Sequence, residues 1–170
     1  MATVDERPEV LNQQKSPTFV GIMRGRVGIP LNRLTHDGRP LADDFSSTLV
    51  NSLAGSGFQA AAQTTPPAHD GRDALKQLGQ SGASRLVLLE VRQWQSETYT
   101  NSTLTYDVTL HVYDADGKEL AALTDTKQED TQNGSFFNPI KRSDDIVQQF
   151  YGRKIVEWFS DPKIEAALQE

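Results

Sequence analysis

Apolar positions along the chain change period several times, and each change marks an element. Leu41, Phe45, Leu49 and Leu53 recur every fourth residue with Ala42 and Val50 beside them, which predicts a helix with one apolar stripe. Pro40 suits its first turn, and Gly55 or Gly57 its end. The run Leu86-Val87-Leu88-Leu89 is continuous and then gives way to Val91, Gln93 and Gln95, the pattern of a strand buried on both faces at its start and on one face further along. Leu104, Tyr106, Val108, Leu110 and Val112 alternate with Thr105, Asp107, Thr109 and His111, as in a half-buried antiparallel strand. Asp116-Gly117 marks a hairpin turn, and 119–127 return as the partner strand. Ile146, Val147, Phe150, Tyr151, Ile155, Trp158 and Phe159 keep helical spacing behind the cap residues Ser143 and Asp144. Pro162 interrupts that helix, and 163–168 add a last turn.

Weaker patterns fill the rest. Residues 18–29 read as a strand with a bend at Gly25 or Gly28, 30–39 as a loop with an Asp37-Gly38 turn, and 57–62 as a short strand stopped by Pro66-Pro67. Ala74, Leu75 and Leu78 place a short helix over 70–79. Residues 1–17 carry Pro8, Pro17 and Gln13-Gln14 with no apolar period, and read as a flexible polar leader. The expectation is one α+β domain over 18–170: a mixed sheet of about five strands with helices packed on it, in the order strand, helix, strand, helix, three strands, helix.

Composition narrows the function. The 170 residues are 36% apolar, enough for one sizeable core. A net charge of −6 disfavours nucleic acid, whose binding needs clustered cations; Arg24, Arg26, Arg33 and Arg39 are interleaved with apolar and polar residues. The absence of cysteine rules out disulfides, thiolate nucleophiles and cysteine-held metals within this sequence. Nothing reaches the length of a membrane-spanning helix.

Candidate chemistry is sparse. His36-Asp37-Gly38 and His69-Asp70-Gly71 admit a His–Asp dyad, and so a small hydrolase, but both sit in turn contexts where a loop histidine and a capping aspartate are the commoner arrangement. His111 falls on the polar face of its strand, where it would be solvated. Gly79-Gln80-Ser81-Gly82 fails the pattern of a nucleophile elbow, and Gly25-Arg26-Val27-Gly28 lacks the rest of a phosphate loop. Asp114-Ala115-Asp116-Gly117 opens like a calcium loop but has no closing glutamate, so it reads as a hairpin. No catalytic residue, metal ligand or cofactor is expected. Binding candidates are aromatic: Trp94, sharing a strand face with Arg92 and Ser96 opposite to Val91, with Tyr99 near it, and the adjacent Phe136 and Phe137. An aromatic pocket near Trp94 would suit a glycan or small ligand.

From Asp107 onward the strand Val108-Thr109-Leu110-His111-Val112-Tyr113, the turn Asp114-Ala115-Asp116-Gly117, the loop Gly134-Ser135-Phe136, the helix reaching Trp158-Phe159-Ser160-Asp161 and the ending Lys163-Ile164-Glu165-Ala166-Ala167-Leu168 resemble YajG-like bacterial lipoproteins. The helix around 41–58 is similar as well. The resemblance implies a signal peptide, a lipid-modified cysteine, an outer-membrane anchor facing the periplasm and no established activity. This sequence contains no such cysteine, so contact with a membrane would run only through an anchor it does not include. The function expected is that of a non-enzymatic interaction or assembly module whose partner is an envelope protein or glycan.

Overall fold

A computed structural model describes residues 1–24, 28–99, 102–131 and 139–169, with backbone alone at 131 and 139–148. Its spine is the pair of long strands that the alternation predicts, β4 (Arg85–Thr98) and β5 (Ser102–Asp114), continued by β6 (Glu119–Thr131) as an antiparallel meander. At the Asp114–Lys118 turn, the Asp114 carboxylate accepts the N–H groups of Asp116 and Lys118, and Gly117 takes a φ of 82°. The hairpin expectation holds there for a physical reason: the aspartate caps the turn and glycine supplies the positive φ.

The other edge of β4 serves two strands. β1 (Ala2–Asp5) lies parallel to Leu88–Val91, and β2 (Phe19–Arg24) lies parallel to Ser96–Thr98. β3 (Pro30–Leu34) pairs antiparallel with β2, which makes a six-stranded mixed sheet of order β3-β2-β4-β5-β6 with β1 off that path. Helix α1 (Pro8–Leu11) follows β1; α2 (Leu41–Gly55) and α3 (Arg72–Gly79) join β3 to β4; α4 (Pro139–Phe159) and α5 (Pro162–Gln169) close the chain.

Alternation along the strands divides the burial between two faces. On the first, Leu41, Phe45 and Leu49 of α2 meet Val87, Leu89, Val91, Val108 and Leu110, and Phe150, Ile155, Trp158 and Ile164 of α4 and α5 lie beside them. The four-residue stripe is thus a buried stripe, Leu53 included. On the second face α3, with Ala68 before it, covers a smaller core, where Ala74 and Leu78 pack on Ala2, Val4, Leu86 and Leu88.

Three sequence expectations need correction. Residues 1–17 are not a free leader: Ala2 and Val4 face the second core, while Thr3 and Asp5 face the other way and are buried as well. Their polarity misleads because it is satisfied internally, as Ser46 bonds Thr3 at 2.9 Å and Arg7 bonds Asp5. Residues 30–34 form strand β3 rather than a loop, because β2 offers its edge and Pro30 can stand at the first position of an edge strand. The strand expected over 57–62 is not formed; only Gln63 makes an isolated bridge, to Ala2. β1 already occupies the place beside β4 where such a strand would add.

β2 approaches β4 closely at Gly21, where a Cβ would run into the backbone carbonyl of Ser96, and φ is 155°. Gly21→Ala should therefore destabilise by about 1–3 kcal/mol through forced repacking. An unchanged denaturation midpoint would reject this close approach.

Candidate functional site

A bulge decides where the aromatic candidates lie. β4 and β5 pair Val91 with Val108 and then Gln93 with Asp107, so Arg92 is the extra residue. Skipping one residue reverses the faces beyond it, and Trp94 lands on the side of Val91, not opposite to it as strict alternation predicts. Its side chain is 5% exposed, edge-on to Phe45 at 4.9 Å and to Tyr151 at 5.7 Å. The gap beside it, lined by Val20, Tyr106 and Phe150 among others, holds about 10 Å³, the room of a single water. Trp94 is a core residue and offers no platform to a glycan. Arg92 points to the other face, where it bonds Asp107 at 2.7 Å and Thr109 at 2.6 Å. Tyr99 is exposed, and Phe136 and Phe137 lie outside the described residues.

On the second face, past the cover of α3, the sheet carries a charged cluster that no local motif announced. Glu6 follows β1, and its N–H donates to Val91 O at 2.9 Å, which seats it alongside Glu90 and Arg92. Its Oε1 is buried without a hydrogen-bond partner. Burial first, and then the neighbouring Glu90, push the Glu6 carboxyl up to about 7, against the pull of Arg92 and His111. His111 lies between two glutamates, with Nδ1 3.1 Å from Glu119 and Nε2 3.5 Å from Glu90, too long for a good hydrogen bond but close enough for ionic attraction. Glu90 and then Glu119 raise the imidazole above its ordinary value in spite of burial, and His111 in turn holds Glu90 below the usual carboxylate range. Beside the cluster an open cleft of about 360 Å³ is lined by Glu6, Pro8, Leu11, Asn12, His69 and Arg92.

The histidines next to aspartates do not hold those aspartates to themselves. Asp37 bonds Arg39, and Asp70 takes Arg72 at 2.7 Å, which pulls Asp70 down to about 2. Both His36 and His69 are exposed. Among the described residues no group of three or more His, Asp or Glu is placed to hold a metal ion, and no helix is long and apolar enough to cross a membrane.

The other unabsorbed feature is the outer edge of β3. Ile29, Leu31, Leu34 and Tyr99 are the large apolar or aromatic residues more than half exposed at this end of the molecule. Leu31 and Leu34 stand an odd number of residues apart and so fall on opposite faces of the strand. Tyr99 follows Thr98, whose partner Met23 precedes the Arg24–Pro30 pair, and so sits at the same end of the sheet as Ile29. Each face of this edge strand thus presents one exposed leucine, Leu34 beside Asn32 on one and Leu31 beside Arg33 on the other, and among the described residues no strand pairs with its outer side.

No family model matches the chain, and no curated protein matches it. Among solved structures, protein XCC0632 from Xanthomonas campestris, of the family DUF330, is 13% identical, with a TM-score of 0.44 over 78% of this chain and 67% of that one. A second, described as an uncharacterized protein, is 8% identical with a TM-score of 0.46 over 92% and 84%. Lipoprotein GNA1162 from Neisseria meningitidis is 15% identical with a TM-score of 0.33 over 88% and 94%.

Proposed function

We propose that this chain is a non-enzymatic interaction or assembly module of the bacterial cell envelope, held at the periplasmic side of the outer membrane by a lipid anchor, with its partner an envelope protein that adds an extended segment along β3. The observation that carries the reading is the outer edge of β3, along which no further strand pairs among the described residues, with Leu31 and Leu34 exposed on opposite faces. Strand addition would extend the sheet through backbone hydrogen bonds and cover both leucines at once. The compartment and the anchor rest on the resemblance to YajG-like lipoproteins in the second half. The hydrolase reading has less support, since Arg39 and Arg72 occupy the carboxylates that a His–Asp dyad would need.

The test replaces Leu31 and Leu34 together with lysine, a residue that natural sheets use to guard an edge. The variant should unfold within about 0.5 kcal/mol of the parent, because both side chains are already in solvent. It should nonetheless fail to restore the phenotype of a strain lacking this chain. Full restoration by the folded double variant would remove β3 as the partner site.

A further inference from the structure

We infer that Glu6, Glu90 and His111 form a pH-responsive clasp over the second core, which tightens β1 and residues 65–71 against the sheet as the surroundings acidify and loosens them as pH rises past neutrality. The clasp is built where four strands and one covering segment meet. β1 delivers Glu6, β4 delivers Glu90 and Arg92, β5 delivers Asp107, His111 and Tyr113, β6 delivers Glu119, and the covering segment brings His69 and Asp70, with Arg72 at the start of α3.

The covering segment is strapped down at both ends of β1. The Thr65 hydroxyl donates to Thr3 O, the Ala68 N–H donates to Asp5 O at 3.2 Å, and the Gly71 N–H donates to Glu90 Oε1 at 3.3 Å. Gly71 lies close against the Leu88 and Glu90 side chains, whose ends would have to move to admit a Cβ, so the Glu90 carboxylate receives the segment at short range. Beneath the segment and α3 is the small core of Ala2, Val4, Ala74, Leu78, Leu86 and Leu88, which has far fewer members than the main one. A core of that size is where local opening is easiest.

The charges then determine the direction of the response. When Glu6 is ionised, the charge that acts on it most strongly is another carboxylate, Glu90, and its buried oxygen meets no donor; Arg92, the cation at hand, is already bonded to Asp107 and Thr109. Protonation removes that repulsion and supplies an O–H. Protonation of His111 places a positive charge between Glu90 and Glu119. A carboxyl raised from 4.5 to about 7 on folding stabilises the closed form below that range and ceases to do so as pH climbs through it. A raised imidazole acts in the same sense, its contribution lost as pH rises past its folded value. Glu90, held low, works the other way only at still lower pH.

Amide hydrogen exchange of the whole chain, corrected for the intrinsic rate, tests this at about pH 5.5 and about pH 8. Residues 2–6 and 65–80 should be about tenfold better protected at the lower pH, while the β5–β6 meander changes little. Glu6→Gln mimics the protonated side chain, so it should fold and should remove most of the difference; His111→Gln should remove part of it. Equal protection of the wild type at both pH values would overturn the clasp. So would a Glu6→Gln protein that keeps the full difference, or a change spread evenly over the meander.

Discussion

Replacing Trp158 with alanine should lower the free energy of unfolding by about 3–5 kcal/mol, the range for deleting a buried aromatic and leaving a cavity. Trp158 is almost wholly buried on α4, in the cluster that joins Phe45 of α2 to Trp94 of β4, with ring centroids 6.2 and 6.3 Å away. The indole also makes a polar contact, its N–H donating to Asp125 at 2.9 Å. Asp125 shares Lys154, which is itself buried and reaches Asp125 at 3.3 Å, Glu129 at 3.4 Å and Glu157 at 2.7 Å. Burial works against the charge of Lys154, but Glu157 and then Tyr106 and Asp125 more than offset it and hold its pKa above the ordinary value. The truncation therefore opens a cavity and takes one donor from a half-buried carboxylate. In a domain of ordinary stability, about 5–15 kcal/mol, such a loss threatens folding at physiological temperature. Guanidinium denaturation is the measurement. A wild-type midpoint would show that α4 does not lid the core and that its aromatic face serves another purpose.

Arg7→Met should cost about as much, about 3–5 kcal/mol, because it strands a buried carboxylate. The guanidinium is fully buried, 0% exposed, in the notch on β4 where β1 ends and β2 has not begun. It grips Asp5 in two places, Nε to Oδ1 at 2.8 Å and Nη2 to Oδ2 at 2.7 Å. The same group donates to the carbonyls of Phe19 at 2.5 Å and Pro17 at 3.2 Å, the second of which also accepts the N–H of Leu41 at 3.0 Å. Removing Asp5 as well, in Asp5→Leu with Arg7→Met, should recover part of the loss by removing the unpaired charge. Recovery should be incomplete, since the Phe19 carbonyl loses its buried guanidinium donor, a loss of about 1–3 kcal/mol. A double variant as stable as the parent would mean that the carbonyl contacts contribute nothing. An Arg7→Met protein within about 1 kcal/mol of the parent would return residues 1–7 to the status of a loose leader.

That leader shows where reading the sequence stops. Four residues of β1 are too short to display a period, and Asp5 and Arg7 look like solvated charges until Arg7 is seen filling a gap between strands far apart in the chain. β3 escaped for a related reason: its leucines face solvent, so no alternation marks it, and only pairing with β2 makes it a strand. The binding candidates divided along the same line. Tyr99 is exposed, whereas one bulge at Arg92 turned Trp94 from an outward platform into the middle of the core. Glu6, Glu90 and His111 could not be found from spacing at all, because their meeting depends on which strand lies beside which.

The sequence by itself determined the helix over Leu41–Gly55, the meander from β4 to β6, the aspartate-capped hairpin, the closing helices and the α+β class. Each is written in side chains within one helical turn or one pleat of each other, and burial of a continuous apolar face rewards that local period directly. Only the tertiary structure decided that β1 and β2 share one edge of β4, that Arg7 seals the notch between them, that the bulge exchanges the faces of Trp94 and Arg92, and that β3 stands last in the strand order. Those outcomes depend on backbone groups finding partners across long stretches of chain, where a shift of one residue reverses every face and leaves the local pattern unchanged.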